Sequence, residues 1–181
     1  MASASESAPI FSAPALLDKG HDVSRFDCGK APLNLFLQKY ALGNQAGGAA
    51  RTYVVLGSKG PGETDSERVV GYYSLTPAAV MPAEVPERVM KGQAQHPVPC
   101  ILLARLAVGQ SVQGRGLGPS LFRDALLRAF NAHEQIGGRA FLVYAMDTDA
   151  RRFYEKYGML PSPTDPLHLF LLFKDIRALL A

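Results

Sequence analysis

Apolar residues along this chain change their spacing several times, and each change marks an element. Ile101-Leu102-Leu103-Ala104-Arg105-Leu106-Ala107-Val108 is a near-continuous apolar run closed by Gly109, the pattern of a buried strand. From Leu117 the period lengthens. Leu117, Leu121, Phe122, Ala125, Leu126, Ala129 and Phe130 recur at helical spacing, and Pro119 suits a first turn, where its missing N–H costs nothing. Earlier, Leu33, Phe36, Leu37, Tyr40 and Ala41 share one helical face that begins at Pro32 and ends near Gly43, with Lys30, Asn34, Gln38 and Lys39 facing outward. Residues 51–56 and 69–76 read as two strands of a hairpin with a long polar tip. A short strand weakened by prolines is expected within 9–17, another strand at 139–145, and a last one at 167–173. Asp147 and Thr148 are natural caps for a short helix over 150–157 that Gly158 stops, and 176–180 make a helical tail at most. Pro77, Pro82, Pro86, Pro97 and Pro99 leave room in 77–99 for one turn of helix around 84–91. A connection of that length is expected to border a substrate cleft.

The order is strand, helix, hairpin, long connection, strand, helix, strand, helix, strand. This is an α/β layout with a mixed sheet, expected to form a single domain over 1–181 after a disordered start at 1–8. No run approaches the ~20 apolar residues of a membrane span, so no membrane association is expected. Cys28 and Cys100 are too few and too far apart for a disulfide framework or a zinc site, so no metal is expected and free thiols in a reducing cytoplasm are the default. The net charge of +3 permits a phosphate or RNA partner without requiring one.

The chemistry concentrates between the central strand and its helix, at Gln113-Gly114-Arg115-Gly116-Leu117-Gly118. Glycines opening a helix leave backbone N–H groups accessible to an anion, and Arg115 adds charge. The spacing is neither the dinucleotide fingerprint, which needs G-x-G-x-x-G, nor a Walker loop, since no Lys follows Gly118. What remains is Q-x-x-G-x-G. A second element, Ala150-Arg151-Arg152-Phe153-Tyr154-Glu155-Lys156-Tyr157-Gly158, places Ala150, Phe153 and Tyr157 together as packing residues and turns Tyr154 about 100° away from Phe153, outside the set that must pack. A phenol with pKa near ~10 stays protonated at neutral pH and can protonate a departing thiolate.

Together the two motifs resemble the GNAT acetyltransferases. The resemblance implies a mixed, mostly antiparallel sheet flanked by helices and splayed between its fourth and fifth strands. It implies acetyl-CoA as co-substrate, held by Leu106, Ala107 and Val108 on the strand edge, by the loop residues Gln113, Gly114, Arg115, Gly116, Leu117 and Gly118, and by Phe153. Tyr154 would be the catalytic acid. Further likeness runs through Phe26-Asp27-Cys28-Gly29, Arg51-Thr52-Tyr53-Val54, His96-Pro97-Val98-Pro99 and Ala104-Arg105-Leu106-Ala107-Val108. It is to the GNAT toxins of bacterial type II toxin–antitoxin systems, which acetylate the α-amine of aminoacyl-tRNA, block translation and are neutralised by a ribbon-helix-helix antitoxin. Gly109 departs from the pattern, standing where members often carry Asp. A cytoplasmic location follows from that resemblance, and homodimer formation stays open.

The residues suit this substrate. An α-amine has pKa near ~7.7–8.0, and esterifying the neighbouring carboxyl lowers it, so a strong protein base is dispensable. None is obvious, because His21 and His96 fall in loops, His133 on a helix exterior and His168 in a strand. Lys30, Lys39, Arg51, Arg88, Lys91, Arg105 and Arg115 are the candidates for RNA phosphates, with Arg51 and Arg105 singled out as charges in apolar strand runs. Two alternatives remain open on sequence: acetylation of a small-molecule amine or a protein N-terminus, and a non-catalytic CoA-binding regulatory module.

Overall fold

The computed structural model describes residues 10–58 and 67–181, so the expectations for the chain start and for the hairpin tip lie outside the described residues. In order come β1 (Ile10–Phe11), β2 (Ala15–Leu16), α1 (Ala31–Leu35), a π-helical turn (Phe36–Tyr40), α2 (Ala41–Ala46), β3 (Arg51–Ser58) and β4 (Arg68–Val80). A 3₁₀ turn (Pro82–Glu84), α3 (Glu87–Met90), β5 (Val98–Val108), a second 3₁₀ turn (Gln110–Val112) and α4 (Leu117–Ile136) follow. The chain ends with β6 (Ala140–Tyr144), α5 (Thr148–Glu155), β7 (Leu160–Pro161), β8 (His168–Leu172) and α6 (Phe173–Leu180). These elements form two compact units, one of the chain up to Tyr73 with Arg105–Leu121, the other of Ser74–Ala104 with Phe122–Ala181.

In the first unit the strand order is β1-β3-β4-β5, and β2 also pairs with β3. The expected first strand is two short ones, Phe11 opposite Gly57 and Leu16 opposite Tyr53. Pro14, with no N–H to give a ladder, falls in the gap between them. The core gathers Leu17, Phe26, Phe36, Leu37, Ala41, Val54, Val69, Tyr72 and Ala107. Tyr72 is fully buried, with Phe26 edge-on at 5.5 Å and Phe36 stacked at 6.2 Å. Its hydroxyl donates to the Leu33 carbonyl at 2.8 Å, so the buried polar tip is satisfied. The helical face expected from Leu33 to Ala41 is interrupted by the π turn, in which the Ala41 N–H reaches the Phe36 carbonyl. The extra residue keeps Phe36, Leu37 and Ala41 inside but rotates Tyr40 outward, where it is 53% exposed.

In the second unit the order is β4-β5-β6-β8-β7. β5 and β6 are parallel from Cys100↔Ala140 to Leu103↔Val143, whereas β6–β8 and β7–β8 are antiparallel. The register with β6 runs to Leu103, close to the end of β6, while β5 continues to Val108, which is consistent with the splay expected between these strands. The proline-marked connection is more ordered than its composition suggests. β4 persists through Pro77 to Val80, β5 starts at Val98, and Val85 and Val89 are buried with Val80, Val98, Leu142 and Phe170. Arg139 closes α3 by donating to the carbonyls of Val89 at 2.8 Å and Lys91 at 3.1 Å. The last helix starts at Phe173, earlier than the expected tail.

Candidate functional site

The glycine loop belongs to the first unit. β5 ends at Val108, the 3₁₀ turn carries the chain outward, and α4 starts at Leu117, which is buried. Gly71 on β4 makes room for this start, since a Cβ there would meet the Leu117 and Leu121 side chains at 3.0 Å. Gly114 and Gly116 have φ of +76° and +82°, a backbone that L side chains rarely adopt, and neither would bring a Cβ within 4 Å of protein. Gly118 lies inside α4, where a Cβ would touch only Val108 Cγ2 at 3.8 Å. Gly114 and Gly116 therefore face open space, and Gly118 has room for a Cβ at one ordinary contact. No acidic residue occupies the first turn of α4, so the positive end of the helix is not neutralised there. Arg115 is exposed beside it. Geometry and charge suit an anion with several oxygens.

The base of the loop is tied down. Gln113 Nε2 donates to the Val108 carbonyl at 2.9 Å and to the Cys28 carbonyl at 3.2 Å, which makes this side chain a clamp. Gln110 N–H donates to the Asp27 carbonyl at 2.8 Å, and Gly109 N–H to the Val70 carbonyl at 2.7 Å. At Gly109 a Cβ would come within 3.1 Å of that Val70 oxygen, a physical reason for glycine at this departure from the family pattern. Of the strand-edge residues, Ala107 is buried, and Leu106 and Val108 are half-buried.

Tyr154 belongs to the second unit, on α5, whose Asp147 cap accepts the Ala150 N–H at 2.8 Å as expected. Phe122 is the hub of an aromatic cluster, with ring centres 4.6 Å to Tyr157, 5.3 Å to Tyr154, 5.7 Å to Phe153 and 6.0 Å to Phe141. The sequence assigned packing to Ala150, Phe153 and Tyr157, but these are half-buried and Tyr154 is the buried residue, 7% exposed. On so short a helix, the hub at Phe122 takes in the neighbouring arc as well. Burial pushes the Tyr154 phenol up from its ordinary range, which keeps it a proton donor. Among the described residues the one buried side-chain polar atom without a partner is His133 Nδ1.

The proposed RNA contacts are placed unevenly. Lys30, at the N-cap of α1, Lys39 in the π turn and Arg51 at the start of β3 are exposed. Arg105 instead lays its guanidinium over the Phe36 ring, 3.7 Å from the centroid. In the second unit Arg88 is paired with Asp175, while Lys91 is exposed. His133 is not on a helix exterior as expected. Its ring lies flat on Phe173, 4.2 Å between centres, because α6 packs where the sequence suggested only a tail. Asp27 and Asn34, which the motifs did not mark as functional, hold the segment that anchors Gln113. Their readable signal was the Asp27-Cys28-Gly29 turn followed by Asn34 in the next helix.

Among the described residues there is no cluster of three metal-ligating side chains, and no helix long and apolar enough to cross a membrane. Residues 33–159 match the Acetyltransferase (GNAT) family. The chain is 44% identical over 170 residues to the tRNA-acetylating toxin of Mycobacterium tuberculosis (strain ATCC 25618 / H37Rv), covering 94% of this chain and 97% of that one. Among solved structures it resembles AtaT complexed with acetyl-methionyl-tRNAfMet, with TM-score 0.80 and 27% identity over 96% of this chain and all (100%) of that one. It also resembles a tyrosine-to-phenylalanine mutant of the AtaT toxin bound to the C-terminus of the antitoxin AtaR and to acetyl-CoA, with TM-score 0.74 and 26% identity over 94% and 97% of the two chains.

Proposed function

This chain belongs to the GNAT acetyltransferase family, and we propose that it is a toxin that transfers acetyl from acetyl-CoA to the α-amine of aminoacyl-tRNA and so blocks translation. The near full-length likeness to a tRNA-acetylating toxin carries this reading. The family match runs through residues of both compact units, which supports reading them as one catalytic domain. The toxin resemblance also suggests a cognate ribbon-helix-helix antitoxin and a bacterial cytoplasm, where charged tRNA is found.

In this reading the pyrophosphate of acetyl-CoA sits on the N–H groups of 113–118, apart from any contribution of Pro119, which has none. The pantetheine arm pairs with the edge of Leu106, Ala107 and Val108, adding a strand-like segment, and Phe153 supports its reactive end. The free amine attacks the thioester carbonyl, a C–N bond forms and the C–S bond breaks. Tyr154 donates its proton to the departing thiolate, and water takes the proton lost by the amine and returns one to the Tyr154 phenolate, restoring the phenol. Lys30, Lys39, Arg51, Arg105 and Arg115 would meet phosphates of the tRNA, with Arg105 already oriented by its stack on Phe36.

Cell-free translation tests the function. Added protein should stop synthesis of a reporter when acetyl-CoA is present and leave it unaffected with CoA alone. Continued synthesis while acetyl-CoA is consumed would point to another acceptor.

A further inference from the structure

The loop over 113–118 has little of its own to hold it in place. Gly114 and Gly116 contribute no side chain, and their surroundings are open. The direction of its N–H groups is therefore set at its two ends. One end is the buried start of α4 at Leu117. The other end is hydrogen-bonded to a segment more than eighty residues earlier, at Asp27 and Cys28.

That segment has its polar groups divided between two directions. Toward the loop, the Asp27 carbonyl accepts Gln110 N–H at 2.8 Å and the Cys28 carbonyl accepts Gln113 Nε2 at 3.2 Å. Toward the helical side, Cys28 N–H donates to Asn34 Oδ1 at 2.9 Å. Asp27 Oδ1 accepts both Gly29 N–H and Asn34 Nδ2 at 2.8 Å. Those bonds hold the Asp27 carboxyl below its usual range, the Gly29 N–H first and the Asn34 amide second. Gly29 permits the turn, with φ of +82°. Asn34 belongs to α1, so the chain of contacts runs from that helix, through the turn, to the foot of the glycine loop.

We infer that Asp27 and Asn34 are positioning residues for acetyl-CoA: by fixing the Asp27 and Cys28 carbonyls they aim the anion-binding N–H groups of the loop. The inference rests on the reading of this loop as the acetyl-CoA site. Losing Asn34 releases Cys28 N–H and leaves Asp27 Oδ1 with the Gly29 N–H alone, so the anchor of Gln113 loosens and the loop samples orientations that do not converge on one anion. Binding should suffer, whereas chemistry at saturation should not, because the proton donor Tyr154 is untouched.

The test compares calorimetric binding of acetyl-CoA to the full-length protein with turnover on charged tRNA. Asn34→Ala should weaken acetyl-CoA binding about tenfold, the equivalent of roughly one good hydrogen bond, and raise its KM in step. Its kcat at saturating acetyl-CoA should stay within about threefold of wild type. Asp27→Ala should behave alike, and Asp27→Asn, which keeps an oxygen at Oδ1, should restore most of the affinity. Gln38→Ala is the structural control, since Gln38 Nε2 makes a comparable bond from the following π turn to the Phe26 carbonyl at 2.9 Å but none toward the loop. It should lower thermal stability and leave acetyl-CoA affinity unchanged. If Asn34→Ala does not fold, Asn34→Asp, which keeps the acceptor for Cys28 N–H and loses the donor to Asp27, takes its place. Wild-type affinity in the folded Asn34 variant, or a loss matched by Gln38→Ala, overturns the inference while the acetyl-CoA reading stands. A wild-type protein that does not bind acetyl-CoA overturns both.

Discussion

Gly114, Gly116 and Gly118 are glycines for different reasons, and the difference makes one of them a clean probe. At Gly114 and Gly116 the backbone itself excludes other residues, so any substitution confounds strain with binding. Gly118 is helical, and an alanine there would meet only Val108 at an ordinary distance. Gly118→Ala should therefore hold or raise stability, by up to about 0.5–1 kcal/mol, while weakening acetyl-CoA binding because the new methyl stands where the anion approaches. Thermal melts and calorimetry on the same sample check both signs; unchanged affinity would mean the ligand does not come close to this turn. Tyr154→Phe keeps the ring in its place against Phe122 and removes only the hydroxyl. Turnover should fall by roughly 10²–10⁴-fold with acetyl-CoA affinity nearly unchanged. Near wild-type turnover would leave the phenol with a packing role alone. Both residues were legible in the sequence as members of spaced motifs. The burial of Tyr154 was not, because which arc of a short helix packs depends on Phe122, a residue thirty-two positions earlier. The clamp made by Gln113 was equally hidden, since its two acceptors are backbone carbonyls that carry no sequence signal.

At the scale of elements, the chain's periodicities located nearly every helix and strand but misjudged where long-range contacts extend or reshape them. The π turn is a case: five apolar positions fit one helical face, and an inserted residue removes Tyr40 from it. The 77–99 connection is another, because its prolines hide Val85 and Val89, whose burial holds it in place. The last helix shows a third. α6 is secured at its start by Asp175 pairing with Arg88 and at its end by Arg123, which donates to the carbonyls of Leu179 and Leu180. The Arg88 hydrogen bond holds the Asp175 carboxyl below its usual range. The folded protein thus takes up this proton less readily than the unfolded chain. The pair's stabilisation is complete above the unfolded carboxyl's pKa near ~3.9 and fades as pH falls below it through the folded value. For a partly exposed pair the effect is on the order of 0.5 kcal/mol. Between pH 6 and pH 3 the denaturation midpoint of wild type should drop slightly further than that of Asp175→Asn. Parallel pH profiles for the two proteins would show that the ion pair does not hold α6.

For the molecule as a whole, the mixed sheet was legible in the alternation of elements, the splay came only with the resemblance that the two spaced motifs carry, and the strand order, set by long-range pairing, was not read from the sequence. The choice of acceptor was not legible from physical pattern alone. A charge of +3 spread over scattered lysines and arginines identifies no partner, and one of the candidate arginines, Arg88, is committed to an ion pair. The acceptor reading draws instead on likeness along nearly the full chain. If it holds, the RNA body supplies binding energy that a free amino acid lacks, and that part of the affinity weakens with salt as counterions compete for the phosphates. The most direct measurement incubates the protein and labelled acetyl-CoA with charged bulk tRNA, the same tRNA deacylated, and a panel of free amines and peptides. Label should accumulate on charged tRNA alone and be released by mild alkali as N-acetyl amino acid; label on the amines or peptides, with charged tRNA inert, would contradict the proposed activity.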